Sequence, residues 1–285
     1  MDLWYSENHT EYVKMSYKVD KHLYSGQSDF QRIDVFESHE FGRFLTLDGI
    51  MMLTEKDEFA YHEMLVHVPL ALNQKIQTVL IIGAGDGGIV RELAKYPTIS
   101  KMDLVEIDPD VVRVCAEYLP QTASALGDSR LHIHYMDGLK YVRGKDLQGV
   151  YDLIIVDSTD PFGPGEGLFT KEFYGNCYNV LSENGICVNQ LGSPFYAADA
   201  AAMTRAFSKL RDTFPNATAY QAHVPTYASG HWLFGFGSKN IHPVTENLAD
   251  LNEIGIKTRY YNADLHRGSF ALPTYVQEML KLDAK

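Results

Sequence analysis

Between residues 76 and 192 the chain alternates short apolar runs with segments of helical spacing. QTVLIIG, KMDLVEID, LHIHYMD, YDLIIVD and GICVNQL are rich in Val, Ile and Leu, as strands covered on both faces are. The segments 87–95, 109–119, 138–143 and 170–181 read as the helices between them. Strand–helix alternation of this kind predicts a parallel, doubly wound sheet. A helix over 197–213, strand-like runs at 217–223 and 231–237 and C-terminal helices follow, with no linker dividing 76–285.

The first 54 residues follow a different period. Ile33 and Val35 alternate with polar neighbours, and Gly42 and Asp48-Gly49 punctuate FGRFLTLDGIMML as hairpin turns do. A small antiparallel β domain over 1–54 and an α/β domain over 55–285 are expected. Thr54-Glu-Lys-Asp57 predicts a capping box opening the helix DEFAYHEMLVHV. Phe59, Leu65 and Val66 should form its apolar side, with Tyr61, His62 and Leu65 close together.

The apolar runs share a chemical feature. Three end in acids: Glu106 with Asp108, Asp137, and Asp157. Ligands of open α/β sheets bind outside the carboxyl ends of the strands, so these carboxylates share the edge where a ligand would sit. The formal net charge of −12 argues against a nucleic-acid partner, whose phosphates need Lys and Arg. It is compatible with a cationic small molecule or with solubility alone. The cysteines (Cys115, Cys177 and Cys187) are odd in number and lack a CxxC pair, which fits reduced core residues in a cytoplasmic protein. MDLWYSENHTEY has no signal-peptide pattern, and no run approaches a membrane span. His132, His134, His223 and His231 lack the spacing of metal ligands, so no metal is expected.

Ile82-Gly-Ala-Gly-Asp-Gly-Gly88 contains GxGxxG through Gly83, Gly85 and Gly88, with Glu106 about 20 residues on where a ribose-binding acid belongs. That pattern fits a nicotinamide dinucleotide or an S-adenosyl compound. Asp86 discriminates between them. Inside the loop it would face a pyrophosphate at a cost of roughly 4 kcal/mol for unit charges about 4 Å apart at an effective dielectric near 20. A nucleoside carrying a sulfonium and an ammonium, but no carboxylate, suits the site better. Asp137-Gly138 could read an adenine amino group or cap the next helix. In DSTDPFGPGEGLF, Asp157 and Asp160 stand before a Gly/Pro loop over 161–167 that reads as a lid, with Glu166 solvated.

GAGDGG, VEID, MDG, DSTDPFGPGEGLF and PTYASG occur here in the order found in the spermidine synthases, the polyamine aminopropyltransferases. LDGIMMLTEKDEFAYHEML and RYYNADLHRGSFALP also resemble that family, so the likeness spans nearly the whole chain. The resemblance implies a methyltransferase-like Rossmann fold with a seven-stranded, mostly parallel sheet, preceded by a small antiparallel β domain. It further implies a homodimer or homotetramer that transfers an aminopropyl group from decarboxylated S-adenosylmethionine to putrescine, giving spermidine and 5′-methylthioadenosine. The donor is a co-substrate, and no cofactor is implied.

By the same resemblance Asp157 is the proton acceptor, assisted by Tyr61 and Asp160. Gln31, Gly83, Gly85, Asp86, Glu106, Asp137, Gly138 and Pro164 hold the nucleoside donor. Tyr61, His62, Asp86, Asp157, Ser158, Thr159, Asp160 and Tyr227 line the polyamine site. The chain departs from the family pattern at Ala84, which is expected to add only a methyl, and at Leu191-Gly192 after Gln190. Other readings are a different acceptor (cadaverine, agmatine or spermidine), a putrescine N-methyltransferase, or a nucleoside-binding protein without catalysis.

Overall fold

The alternating N-terminal pattern builds antiparallel sheet, and the continuous apolar runs build a larger one, in a computed structural model that describes residues 2–158, 163–243, 245 and 247–282. The side chains of Pro164 and Glu166 lie outside the described set. Strands β1 (Leu3–Asn8) and β2 (Lys14–Val19) form a two-stranded ribbon. A four-stranded antiparallel sheet follows from β3 (Lys21–Gln27), β4 (Arg32–Ser38), β5 (Gly42–Leu47) and β6 (Ile50–Thr54). Its inner face packs Ile33, Val35, Leu45 and Leu53 on Val111, Val114 and Cys115 of a helix from the larger unit, and on Leu119 just after it.

After helix α1 (Glu58–Leu72) the chain winds β7 (Thr78–Gly83), α2 (Gly88–Ala94), β8 (Lys101–Glu106), α3 (Pro109–Tyr118), β9 (Leu131–Tyr135), α4 (Gly138–Tyr141) and β10 (Tyr151–Asp157). A 3-10 helix (Gly163–Phe169) leads to α5 (Lys171–Val180), β11 (Leu181–Gly192), α6 (Ala197–Thr213), β12 (Asn216–His223) and β13 (His231–Ser238). Helices α7 (Ala263–Ser269) and α8 (Thr274–Leu280) complete it. The seven-stranded sheet has the order β12-β13-β11-β10-β7-β8-β9. Only β13 runs against its neighbours, pairing antiparallel with both β11 and β12. This is the doubly wound sheet that the alternation predicts, with the seven strands and mostly parallel order that the family resemblance implies.

Strand β7 shows why a doubly wound sheet needs unbroken apolar runs. Val79 and Ile81 enter the core beneath α1 and α2, while Leu80 and Ile82 enter the core on the opposite face with Phe173 and Phe207. Each such side chain contributes about 1.5–3 kcal/mol on full burial. The order of strands reverses at β7, with β10 on one side and β8 on the other, and Gly83 lies opposite Asp157 in the β7–β10 register. The crevice therefore opens where the glycine loop and the acidic strand ends meet.

Two local expectations change. Thr54 and Asp57 do not form a capping box. Thr54 belongs to β6 and its hydroxyl donates to Asp57, whose carboxylate also accepts from the Thr226 N–H and hydroxyl at 2.7–2.9 Å. Asp57 thus ties the start of α1 to the β12–β13 loop rather than capping its own helix. Helix α1 is also buried nearly all round instead of on one side, being wedged against α2, β11 and β12. Its polar residues are satisfied internally: Glu63 accepts the N–H groups of Arg259, Tyr260 and Tyr261, and His67 bridges Tyr96 and Glu92. All three cysteines are free and buried, as expected of core residues.

Candidate active site

The glycine loop is shaped by the strand beside it. Gly83 has φ +81°, and a Cβ there would lie 2.0 Å from the Asp157 carbonyl oxygen. Ala84 donates its N–H to that same oxygen at 3.0 Å. Ala84 itself sits at φ +61°, a left-handed conformation that costs an L-residue roughly 1–2 kcal/mol, so its methyl is not the small change the sequence suggested. A Cβ on Gly85 would meet Glu106 Oε2 at 3.0 Å, so that glycine lets the acid at the end of β8 reach the loop. Gly138, whose added Cβ would lie 2.5 Å from Ile82, closes the same wall beside Asp137.

One cleft gathers the predicted residues. Gln31, Gly83, Gly85, Glu106, Asp137 and Gly138 line it together with Tyr61, His62, Asp86, Asp157, Ser158 and Tyr227. Thr159 and Asp160 lie outside the described residues, as does the Pro164 side chain, and the expected lid over 161–167 falls partly there too. From Gly163 onward that segment is a 3-10 helix whose Gly167 carbonyl accepts from Thr170.

Around Glu106 the cleft is held by hydrogen bonds that reach from the N-terminal sheet. Gln31 Nε2 and Ser28 Oγ both donate to Asp108 Oδ2, at 2.9 and 2.7 Å, and the Asp108 N–H donates to Glu106 Oε1 at 2.9 Å. Burial, reinforced by Asp108, pushes the Glu106 carboxyl up to about 7, against the backbone N–H groups that favour its ionised form. Asp137 caps α4 by accepting the Leu139 N–H at 2.8 Å, so the capping alternative is realised for one oxygen.

A second group of polar residues centres on Asp157. Tyr61 donates its hydroxyl to Asp157 Oδ1 at 2.5 Å. Burial, and the Asp157 charge after it, raise the Tyr61 phenol well above its ordinary value, so Tyr61 stays the donor. Burial and the neighbouring Asp86 raise the Asp157 carboxyl as well. His62 lies with Nε2 3.3 Å from Asp86 Oδ1 and Nδ1 2.5 Å from Glu58 Oε2. Burial alone would lower this imidazole, but Asp86 and Glu58 lift it to about 9. His62, Asp86 and Asp157 each place a ligand-capable atom within 4.8 Å of the others. Both ring nitrogens of His62 face carboxylates, an arrangement that favours the protonated ring and sets one positive charge beside Asp86 and Asp157. In the second such cluster, Glu63, His67 and Glu92, the carboxylates are already engaged by N–H donors and by Lys95 and Arg91.

Residues 58–248 match the family model described as the spermine/spermidine synthase domain, and residues 3–55 match the one described as the spermidine synthase tetramerisation domain. The chain belongs to the spermidine synthase family. It is 64% identical over 282 residues to the polyamine aminopropyltransferase of Alkaliphilus oremlandii, and 62% identical over 281 residues to that of Clostridium perfringens strain SM101, with 99% of each chain covered in both cases. Among solved structures, spermidine synthase in complex with the transition state analogue AdoDATO is similar at a TM-score of 0.94 and 41% identity, covering 99% of this chain and 96% of that one. Spermidine synthase from Thermotoga maritima follows at 0.92 and 41%, covering 99% and 95%. The cleft is therefore that of an aminopropyltransferase.

For an aminopropyltransferase the cleft holds more than the motifs reveal. Tyr61, Tyr227 and Trp232 form a continuous aromatic wall, with centroids 5.9 Å apart for the first pair and 4.6 Å for the second. Ser158 Oγ, Gln190 Oε1 and Trp232 Nε1, on residues that line this cleft, are buried polar atoms without hydrogen-bond partners among the described residues. Such atoms favour a ligand that can satisfy them. Glu7 and His9, from the N-terminal ribbon, also line the cleft. Sequence reasoning missed Trp232, Glu7 and His9, which lie outside the motif residues it used. Gln190 it placed on the strand but not in the site. No helix among the described residues is long and apolar enough to cross a membrane.

Proposed function

We propose that this aminopropyltransferase is a spermidine synthase that moves the aminopropyl group of decarboxylated S-adenosylmethionine to putrescine. The observation that carries the reading is the Asp86–Asp157 pair, two carboxylates facing one cleft and sharing, among the described residues, the single buried histidine His62 beside them. A sulfonium donor ending in an ammonium, met by a diamine, supplies the missing charge. Ordinary S-adenosylmethionine would bring its carboxylate toward Asp86 at a cost of several kcal/mol.

In this reading Gln31, Glu106, Asp137 and Gly138 hold the nucleoside, and Asp86 holds the donor ammonium. The putrescine chain lies along Tyr61, Tyr227 and Trp232, where aromatic faces suit both methylenes and ammonium groups. The reacting amine attacks the methylene next to sulfur, the carbon–sulfur bond breaks, and a neutral thioether leaves with the bonding pair. The amine must first be neutral, which costs roughly 4–5 kcal/mol for a pKa near 10.4 at pH 7. Asp157 takes that proton, and Tyr61 fixes its carboxylate. No further cofactor is required, since the donor is already activated. The protein works in the cytoplasm as a homotetramer or homodimer built through residues 3–55. Incubation with decarboxylated S-adenosylmethionine and a panel of putrescine, cadaverine, agmatine and spermidine tests the proposal. Spermidine and methylthioadenosine from putrescine are expected; methyl transfer from S-adenosylmethionine, or preference for another amine, would overturn it.

A further inference from the structure

Asp86 stands at the end of a chain of alternating charge, buried at Glu58 and His62 and partly buried at its two ends, that starts away from the reacting atoms. Arg91 on α2 grips Glu58 with both terminal nitrogens, at 2.7 and 2.8 Å. Glu58 Oε2 also meets His62 Nδ1 at 2.5 Å, one helical turn along α1, and His62 Nε2 faces Asp86. The imidazole lies flat against the start of α2: a Cβ on Gly88 would be 2.2 Å from His62 Cε1. The Gly88 N–H in turn donates to Asp86 Oδ1 at 2.7 Å. The groups facing His62 are Glu58 on its own helix, Asp86 in the loop after β7, Asp157 at the end of β10 and the Tyr61 ring, edge-on at 5.6 Å. Both Glu58 oxygens are engaged by Arg91 and His62, so Glu58 acts through the histidine.

Resting on the function proposed above, we propose that Glu58 and Arg91 are positioning residues of aminopropyl transfer: by clamping His62 they aim the Asp86 carboxylate at the donor ammonium. A largely buried ion chain of this length adds little net stability, because desolvation offsets its attractions. What it secures is geometry and charge. Glu58, held far below the ordinary range at about 2 by His62 and Arg91 despite burial, remains an anion, and His62 remains a cation that orients Asp86 without leaving the cleft neutral.

The test separates aim from architecture. In Glu58→Gln, kcat/KM for the decarboxylated donor should fall about tenfold or more, while the Kd of 5′-methylthioadenosine, which has no ammonium, stays within about twofold. In a His62→Gln background the same substitution should add less than about twofold, because its route to Asp86 is already cut. Arg91→Lys, which keeps the charge but loses the two-pronged grip, is a milder second variant with the same selectivity. Equal losses for donor and methylthioadenosine, or effects that multiply fully in the double variant, would overturn the proposal. The titration of the His62 ring by NMR reads the clamp without catalysis: its midpoint should drop by about one unit or more in Glu58→Gln, and an unmoved midpoint also overturns it. If the wild-type protein transfers no aminopropyl group, the function is refuted and the ring titration alone decides the clamp.

Discussion

The Tyr61 hydroxyl and Asp157 Oδ1 stand 2.5 Å apart, joining residues 96 positions apart in the chain at the mouth of the crevice. This bond favours the ionised carboxylate, while burial and Asp86 oppose ionisation and prevail. Activity in the proton-accepting step should therefore rise with pH along an acid limb lying above the ordinary carboxylate value of about 4. Removing the bond with Tyr61→Phe should move that limb to still higher pH and lower kcat about 10- to 100-fold. A kcat–pH profile checks both; a limb that moves to lower pH would contradict the assigned donor.

Asp157→Asn removes the proton acceptor but keeps the shape of the strand end. A kcat loss of about 100-fold or more is expected, with methylthioadenosine affinity changed by less than about threefold. Near-normal turnover in this variant would assign the proton elsewhere in the cleft.

Asp86→Asn should distinguish the two nucleosides that share the site. The donor loses a charged partner for its ammonium, worth about 1.5–3 kcal/mol, whereas methylthioadenosine loses little. Competition binding measures the difference directly. Equal weakening of both ligands would assign Asp86 to the nucleoside rather than to the aminopropyl arm.

How far the sequence reached depends on the kind of relationship. Val79 with Ile81 and Leu80 with Ile82 carry their burial in their own period, so β7 and its place between two cores were legible. Gly83, Asp86 and Glu106 were legible because a short loop must bring its own residues together. Tyr61 and Tyr227 were placed in one site by the family resemblance alone, and Trp232 was not placed at all, since the wall joins α1 to the loop before β13 and to β13 itself and no local pattern records that contact. Asp57 misled for the same reason: its nearest apparent role, capping α1, loses to Thr226, 169 residues away. The left-handed backbone at Ala84 leaves no trace in an alanine.

Glu106 should trade stability for function. Its carboxyl is raised to about 7 by burial, so ionising it in the ligand-free protein opposes folding, and this penalty grows as pH rises from about 4.5 through 7. Glu106→Gln removes the charge and can keep the Asp108 N–H bond. At pH 8 the ligand-free variant should be more stable by roughly 1–3 kcal/mol, an advantage that fades toward pH 4. Methylthioadenosine affinity should fall at the same time. Denaturation at both pH values, with and without ligand, checks the pair of effects; a variant less stable than wild type at pH 8 would show that the ionised Glu106 is satisfied where it lies.

The glycine loop holds two adjacent left-handed residues that should respond oppositely to one methyl group. Gly83→Ala would place a Cβ 2.0 Å from the Asp157 carbonyl oxygen, which is backbone of the neighbouring strand and cannot swing aside. Relief requires β7 and β10 to part at the edge that presents Asp157, so a stability loss of about 3 kcal/mol or more and loss of turnover are expected together. Ala84→Gly works the other way. It relieves roughly 1–2 kcal/mol of backbone strain, and gives most of that back through one buried methyl and a freer unfolded chain. Its net effect should lie within about 1 kcal/mol of zero, with the Ala84 N–H bond to Asp157 retained. Thermal unfolding of the two variants side by side tests the contrast. A Gly83→Ala protein as stable as wild type would mean that the loop is free to move away from β10, and the strand-end geometry of Asp157 would no longer follow from the glycine.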